Sequence, residues 1–229
     1  MVEKTMQKPD VVSFPGESAA YREARDRLLE AEIALRRQTE AVAEQRRALP
    51  PGGVVPQDYL FHEGADGRPV RFSELFGDKS VLLLYSFMYG PAMERPCPSC
   101  SSILDALDGQ VPHVMQMAAL AVVAQSPIER ILAFAGPRGW RRLRLVSAAG
   151  TSYQRDYKGE DAGGSQWPIL NVFRRAGGEI RHVWSTELAF APRDPGQDPR
   201  HVDFIWPLWG LLDVSPEGRG DFHPRLEYA

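Results

Sequence analysis

A nearly unbroken apolar run at residues 81–87, Val-Leu-Leu-Leu-Tyr-Ser-Phe, constrains the fold of this chain more than any other feature. Runs of that length that are apolar on both faces are typical of a central strand buried in a sheet. A second run at residues 118–124 and a third strand at 143–146 follow, each after a helical segment. Strands separated by helices pair in parallel, so the three runs predict the middle of an α/β sheet.

Two later strands, at residues 169–173 and 180–184, are joined by the turn Ala176-Gly177-Gly178 and predict an antiparallel hairpin. The sheet is therefore predicted to be mixed, with helices covering it. A last helix is predicted to begin at Asp198-Pro199 and to lose its regularity near Pro207.

The N-terminal part of the chain predicts one long helix over residues 18–49, because it contains no Gly or Pro and is rich in Ala, Glu, Arg and Leu. Pro50-Pro51-Gly52-Gly53 ends it. Residues 1–53 are thus predicted to form a tail and a long helix, and residues 54–229 a globular domain with a C-terminal extension. A narrow apolar stripe on the helix leaves two interpretations open: the helix lies along its own domain, or it forms a homodimer contact through a short coiled-coil seam.

Composition limits the partners and the compartment. With 27 basic and 30 acidic residues, the net charge of −3 gives no argument for binding to nucleic acid or to an anionic membrane. The chain has no apolar run long enough to span a bilayer and no apolar segment near its start that resembles a secretory signal. Because it has only 2 cysteines, three positions apart, we expect a reducing, cytoplasmic environment rather than a disulfide scaffold.

The motif Cys97-Pro98-Ser99-Cys100 follows the buried strand at residues 81–87 and is predicted to open a helix over residues 97–107. The start of a helix presents free N–H groups and the positive end of the dipole, which stabilise a thiolate. We therefore predict that Cys97 is the attacking nucleophile, and that Cys100, one helical turn later, resolves the mixed disulfide. No acidic residue in the preceding strand is available as a buried proton acceptor.

Other interpretations of a single C-x-x-C pair are a zinc site or two structural thiols. Zinc requires four ligands, usually with a second cysteine pair, and the five histidines do not form a paired spacing. We predict no metal. Because the chain has no Gly-rich phosphate-binding loop, we also predict no cofactor.

The strand before Cys97, the C-P-S-C pair, Pro168 and the final hairpin resemble the thioredoxin superfamily across about residues 55–215. The resemblance implies a thioredoxin-like mixed sheet flanked by helices, with the long N-terminal helix appended. It also implies that Pro168 is a cis-proline facing the cysteine pair. Trp167 would lie at the rim of that site, and we predict that Trp167, Pro168, Pro98 and Ser99 contact the substrate.

Further stretches resemble a bacterial family of unknown function described as predicted dithiol–disulfide oxidoreductases. They are residues 120–130, 170–175 and 198–209, and the resemblance extends over nearly the whole chain. It implies a thiol–disulfide oxidoreductase that acts on a protein or small-molecule disulfide and is regenerated by a reducing partner.

Two alternative functions remain open. The first is a peroxiredoxin-like thiol peroxidase, in which Cys97-Pro98 would match the Cys-Pro pair of that family. Glu94 then stands where that family usually places Thr or Ser, and an acid there opposes thiolate formation unless Arg95 offsets it. The second is a non-catalytic binding protein of the same fold, suggested by the long first helix and the aromatic stretch at residues 204–209.

Overall fold

The long N-terminal helix is confirmed. In a computed structural model, which describes residues 13–192 and 201–228, helix α1 runs over Ala19–Arg47. Ser18 caps it, because its side chain accepts a hydrogen bond from the Tyr21 N–H at 3.1 Å. No residue of α1 is buried. The chain divides into two compact units, Met1–Pro50 and Pro51–Ala229.

The second unit is built on a mixed seven-stranded sheet with the order β2-β1-β5-β4-β3-β6-β7. The three central strands β3, β4 and β5 are parallel, whereas β1 and β6 pair antiparallel to β5 and β3. Hairpins β1–β2 and β6–β7 form the two ends. The strands are β1 (Leu60–Glu63), β2 (Arg68–Arg71), β3 (Val81–Ser86), β4 (Ala119–Ala124), β5 (Arg144–Ser147), β6 (Leu170–Ala176) and β7 (Glu179–Ser185).

The helices of this unit follow the predicted crossovers. They are α2 (Pro98–Asp108), α3 (Val111–Val114), α4 (Ile128–Arg138), α5 (Tyr153–Asp156) and α6 (Pro207–Asp213), with 3₁₀ segments at Phe72–Phe76, Glu187–Phe190 and Asp203–Ile205. All six residues of β4 are buried, as expected for the middle of a parallel sheet that is covered on both faces.

Each face of the sheet packs against its own core. On one face, an aromatic cluster centres on Phe72, whose ring meets Phe173 edge-on at 4.8 Å and Phe76 at 5.9 Å. On the other, Tyr85, Cys100 and the tryptophans Trp206 and Trp209 belong to one buried cluster. The cysteine pair thus belongs to the face covered by α2 and α6.

The predicted fold class, a thioredoxin-like mixed sheet flanked by helices with a long N-terminal helix, is confirmed by this topology. The predicted start of the last helix at Asp198-Pro199 lies outside the described residues. Pro207 does not interrupt a helix but begins one, at the first position of α6. A proline is tolerated there because the first N–H groups of a helix have no partner within it. Within the described ranges, no helix is both long and apolar enough to cross a bilayer.

Candidate active site

Cys97 occupies the position immediately before helix α2. It is the N-cap residue, with an extended backbone at φ −61° and ψ 125°, and Pro98 is the first helical residue. Its N–H donates to the Met88 carbonyl at 3.0 Å, which ties the helix start to the end of β3. Its carbonyl accepts from both the N–H and the hydroxyl of Ser101, at 3.0 and 2.9 Å. The thiol therefore sits at the positive end of the helix, as its spacing from the strand predicts.

The surroundings of Cys97 lower the pKa of its thiol to about 6. The largest cause is a hydrogen bond from the Cys100 side chain, and partial burial opposes it. The backbone groups of Cys100 and Ser99 and the Ser99 side chain lower the pKa further. These are the donors of the first helical turn, so the helix start itself favours the thiolate.

Cys100 has the opposite environment. Its side chain is 1% exposed, and burial raises the pKa of its thiol well above the usual value of 9.0. The neighbouring Cys97 raises the pKa of Cys100 further, whereas Tyr85 and the backbone of Met88 lower it. Both cysteines are free thiols in the structure. One sulfur is thus readily ionised and half-buried, and the other is buried and protonated.

The Tyr85 hydroxyl donates a hydrogen bond to Cys100 Sγ at 3.3 Å. The sequence pattern identifies Tyr85 only as part of a buried strand and does not predict it as a site residue. The available signal was the polar hydroxyl within the apolar run, since a buried tyrosine hydroxyl usually has a hydrogen-bond partner.

Arg130 of helix α4 binds the loop that connects β3 to Cys97. Its guanidinium donates to the carbonyls of Pro91 at 3.0 Å and Met93 at 2.6 Å, and it lies 4.8 Å from the centre of the Tyr89 ring. Ser126, which precedes α4, donates its hydroxyl to the Gly90 carbonyl at 3.1 Å. The loop is therefore held from the side of α4, and this fixes the approach of the chain to the first cysteine.

Gly90 lets this loop pass close to Gln166. A Cβ atom at position 90 would lie 3.0 Å from Cγ of Gln166 and 3.1 Å from its Cδ. Gln166 is buried, and its amide donates to Glu160 at 3.0 Å and to the Gly164 carbonyl at 3.2 Å. The loop before the cysteines and the segment before Trp167 are thus packed against one another.

Helix α6 and the segment before it cover the far side of α2. The Trp206 indole donates to the Ser102 hydroxyl at 3.1 Å. Trp206 and Trp209 pack edge-on at 5.0 Å and are both buried. His201 hydrogen-bonds through Nε2 to the Pro168 carbonyl at 3.0 Å.

The prediction of a cis-proline at position 168 is wrong. None of the peptide bonds within the described residues is cis, so Trp167–Pro168 is trans. The Ile169 N–H donates back to the Trp167 carbonyl at 3.1 Å, which makes a tight turn centred on Pro168. A proline supplies the φ that such a turn needs in the trans form. This turn accounts for a proline at this strand entry.

The predicted substrate contacts lie at one end of the sheet. Because β6 runs antiparallel to β3, Trp167 and Pro168 precede β6 at the end where β3 leads toward Cys97. Trp167 is half-buried, its ring lies 5.5 Å from that of Phe190, and its indole donates to Asp161 at 3.4 Å. Pro98 and Ser99 form the first turn of α2.

The part of the chain that the structure describes contains no set of side chains that could bind a metal ion. No three His, Cys, Asp or Glu side chains there are arranged to hold an ion.

Comparison with known proteins gives one family and several similar folds. The model of a bacterial protein family of unknown function, DUF899, matches residues 6–228. No curated protein matches the chain. A hypothetical protein from Sinorhizobium meliloti is similar with a TM-score of 0.43 and 20% identity, over 73% of this chain and 85% of that one.

Two peroxiredoxin structures are also similar. Peroxidoxin BcpB from Mycobacterium tuberculosis gives a TM-score of 0.46 and 15% identity, over 69% of this chain and 94% of that one. A cysteine mutant of PrxQ from Xylella fastidiosa gives a TM-score of 0.48 and 12% identity, over 71% of this chain and 97% of that one.

Proposed function

We propose that this chain, which belongs to the DUF899 family of bacterial proteins of unknown function, is a dithiol–disulfide oxidoreductase. Cys97 is the nucleophile and Cys100 the resolving thiol. One observation carries the proposal: two free thiols lie at the start of one helix, with Cys97 at the N-cap and Cys100 buried on the first turn. The pKa of the first is lowered to about 6, and the pKa of the second is raised by burial. With a pKa of about 6, Cys97 is mainly thiolate at pH 7.

The reaction follows from this asymmetry. The Cys97 thiolate attacks one sulfur of a substrate disulfide, and a mixed disulfide forms as the first substrate thiolate leaves. Cys100 then loses its proton and attacks Cys97 Sγ, which releases the second substrate thiol and leaves a Cys97–Cys100 disulfide. Two electrons pass from the protein dithiol to the substrate. A partner dithiol in the cytoplasm returns them.

The substrate is proposed to approach over Pro98, Ser99, Trp167 and Pro168. Ser99 already acts on the Cys97 thiol, and Trp167 with Phe190 offers an apolar surface at the same end of the sheet. The peroxidase alternative has less support from the surrounding contacts. Arg95, the cation expected to offset Glu94, pairs with Glu227 at 2.5 Å instead.

The reduction potential of the pair should depend on pH with a break near pH 6. Below the pKa of Cys97, reduction takes up two protons, so the potential should fall by about 59 mV per pH unit. Above it, Cys97 stays ionised and one proton is taken up, so the slope should be about 30 mV per pH unit. At pH 7, ionisation stabilises the reduced form and should raise the potential by about 30 mV relative to a pair with ordinary thiols.

The measurement is equilibration of the protein with glutathione buffers from pH 5 to pH 8, followed by alkylation and mass spectrometry. A Ser99→Ala variant is a matched control, because it removes one donor near Cys97 and should move the break to higher pH. A uniform slope of about 59 mV over the whole range would contradict the lowered pKa. If no intramolecular disulfide forms at any ratio of glutathione forms, the proposed function is wrong.

A further inference from the structure

The contact between Tyr85 and Cys100 joins the central strand of the sheet to the helix that carries the cysteines. The donor oxygen and the sulfur are 3.3 Å apart, and the two residues are 0% and 1% exposed. Tyr85 is fixed by the backbone pairing of β3 with β4 and β6, where its partners are Val122 and Leu170. Cys100 is equally fixed on the first turn of α2. A rigid hydroxyl donor is therefore aimed at the sulfur that must become nucleophilic in the second step.

We propose that Tyr85 is a catalytic residue of that second step, in which its hydroxyl stabilises the Cys100 thiolate as it attacks the mixed disulfide on Cys97. The inference rests on the function proposed above and deepens it. A hydrogen bond to an ionised acceptor is about twice as strong as one to a neutral acceptor. The same contact therefore stabilises the Cys100 thiolate more than the thiol, and this difference lowers the barrier.

The atoms and electrons balance without a further reactant. Cys100 loses its thiol proton to solvent water, and the electron pair of the resulting thiolate forms the bond to Cys97 Sγ. The bond from Cys97 to the substrate sulfur breaks, and its electron pair leaves with that sulfur, which takes up a proton from solvent. Tyr85 keeps its own proton throughout.

Burial of Cys100 makes a hydrogen-bond donor to its thiolate necessary, and burial of Tyr85 keeps the hydroxyl of that donor protonated. Desolvation raises the pKa of Cys100, so an unassisted thiolate there would be scarce at neutral pH. Desolvation also raises the pKa of Tyr85 well above 10.0, so its hydroxyl remains protonated. Tyr85 and Cys97 are the titratable groups that act on Cys100, and the Met88 backbone supplies a second donor. The groups around Cys100 are thus hydrogen-bond donors, and none of them is an acidic proton acceptor.

The test is a single-turnover reaction of the reduced full-length protein with dithiobis(nitrobenzoate), whose thiol product is coloured. Attack by Cys97 releases the first coloured thiol, and resolution by Cys100 releases the second, so the two steps are observed as separate phases. In Tyr85→Phe, the first phase should change by less than about twofold.

The second phase should be slower in Tyr85→Phe by about three- to tenfold at pH 7. Loss of a donor to an ion is expected to lower the thiolate fraction about ten- to a hundredfold. The greater nucleophilicity of a more basic thiolate recovers about half of that loss on a logarithmic scale. The pH profile of the second phase should therefore move to higher pH, which a purely structural role would not produce.

Tyr153→Phe is the matched control. Tyr153 is also 0% exposed but belongs to the aromatic cluster on the opposite face of the sheet. Loss of the Tyr153 hydroxyl should leave the rates of both phases of the reaction unchanged.

Each outcome separates the inference from the proposed function. If the unmodified protein releases no second thiol, the dithiol mechanism fails. If it shows both phases and Tyr85→Phe shows the same second phase, or slows both phases equally, the role of Tyr85 is wrong although the function stands. Should Tyr85→Phe fail to fold, genetic replacement of Tyr85 by fluorotyrosine, a nearly isosteric and stronger donor, should accelerate the second phase at pH 7. An unchanged or slower second phase would overturn the inference.

Discussion

Replacement of Cys97 by Ser should abolish disulfide reduction, with a loss of at least about a thousandfold in rate. A serine hydroxyl is not ionised at neutral pH, so the donors of the first helical turn that stabilise the Cys97 thiolate would have no anion to act on. The measurement is reduction of a small aliphatic disulfide under dithiol regeneration, with hydrogen peroxide as a parallel substrate. Peroxide consumption by the unmodified protein, lost in Cys97→Ser, would favour the peroxidase alternative.

Cys100→Ser is the matched control, because it makes the same exchange of sulfur for oxygen at the neighbouring thiol. It should retain the first attack and accumulate a mixed disulfide between Cys97 and the substrate, visible by mass spectrometry. The buried Cys100 cannot replace Cys97, since burial raises the pKa of its thiol. Full activity in Cys97→Ser, or a mixed disulfide on Cys100 in place of Cys97, would reverse the assigned roles.

The position of Cys97 could be predicted because it depends on local rules. An apolar run identifies β3, and a proline after Cys97 marks the first residue of α2. Each rule needs only a few neighbouring residues, and together they place the thiol at the helix start. The parallel pairing of β3 with β4 follows in the same way, from the helix between them.

The rest of the site depends on contacts between distant segments, which no local pattern specifies. Tyr85 and Cys100 are fifteen positions apart and meet only because α2 packs on β3. His201 meets the Pro168 carbonyl across 33 positions. The expectation of a cis bond at Pro168 comes from a resemblance, whereas the reason for a proline there is the local turn that Ile169 closes with Trp167.

A large loss of stability from a single added methyl group is expected at Gly159. This buried glycine lies beside Gln154, whose side-chain oxygen accepts a hydrogen bond from the buried Ser86 hydroxyl at 2.8 Å. A Cβ at position 159 would lie 2.0 Å from that Gln154 oxygen and 2.8 Å from the Ser86 oxygen. Gly159→Ala must therefore displace Gln154 and break a buried hydrogen bond.

We expect Gly159→Ala to lower the free energy of unfolding by about 2–4 kcal/mol, as overpacking and a buried unpaired polar group each contribute. Denaturant unfolding of the reduced protein measures this free energy. Gly136→Ala is the control, because Gly136 lies in α4 with no atom within 4 Å of its added Cβ. That variant should be neutral or more stable by up to about 1 kcal/mol, since alanine favours a helix.

The two variants add the same methyl group, so the difference between them isolates the packing around Ser86 and Gln154. Ser86 is the last residue of β3, and the loop that leads to Cys97 leaves the sheet there. The Gly159 carbonyl also accepts the Trp167 N–H at 2.9 Å. The displacement of Gln154 in Gly159→Ala should therefore slow the reaction of Cys97 as well as lower the free energy of unfolding. Equal unfolding midpoints and slopes for the two variants would mean that the segment at Gly159 accommodates the added methyl group without a loss of stability. That segment would then not hold the end of β3 in place.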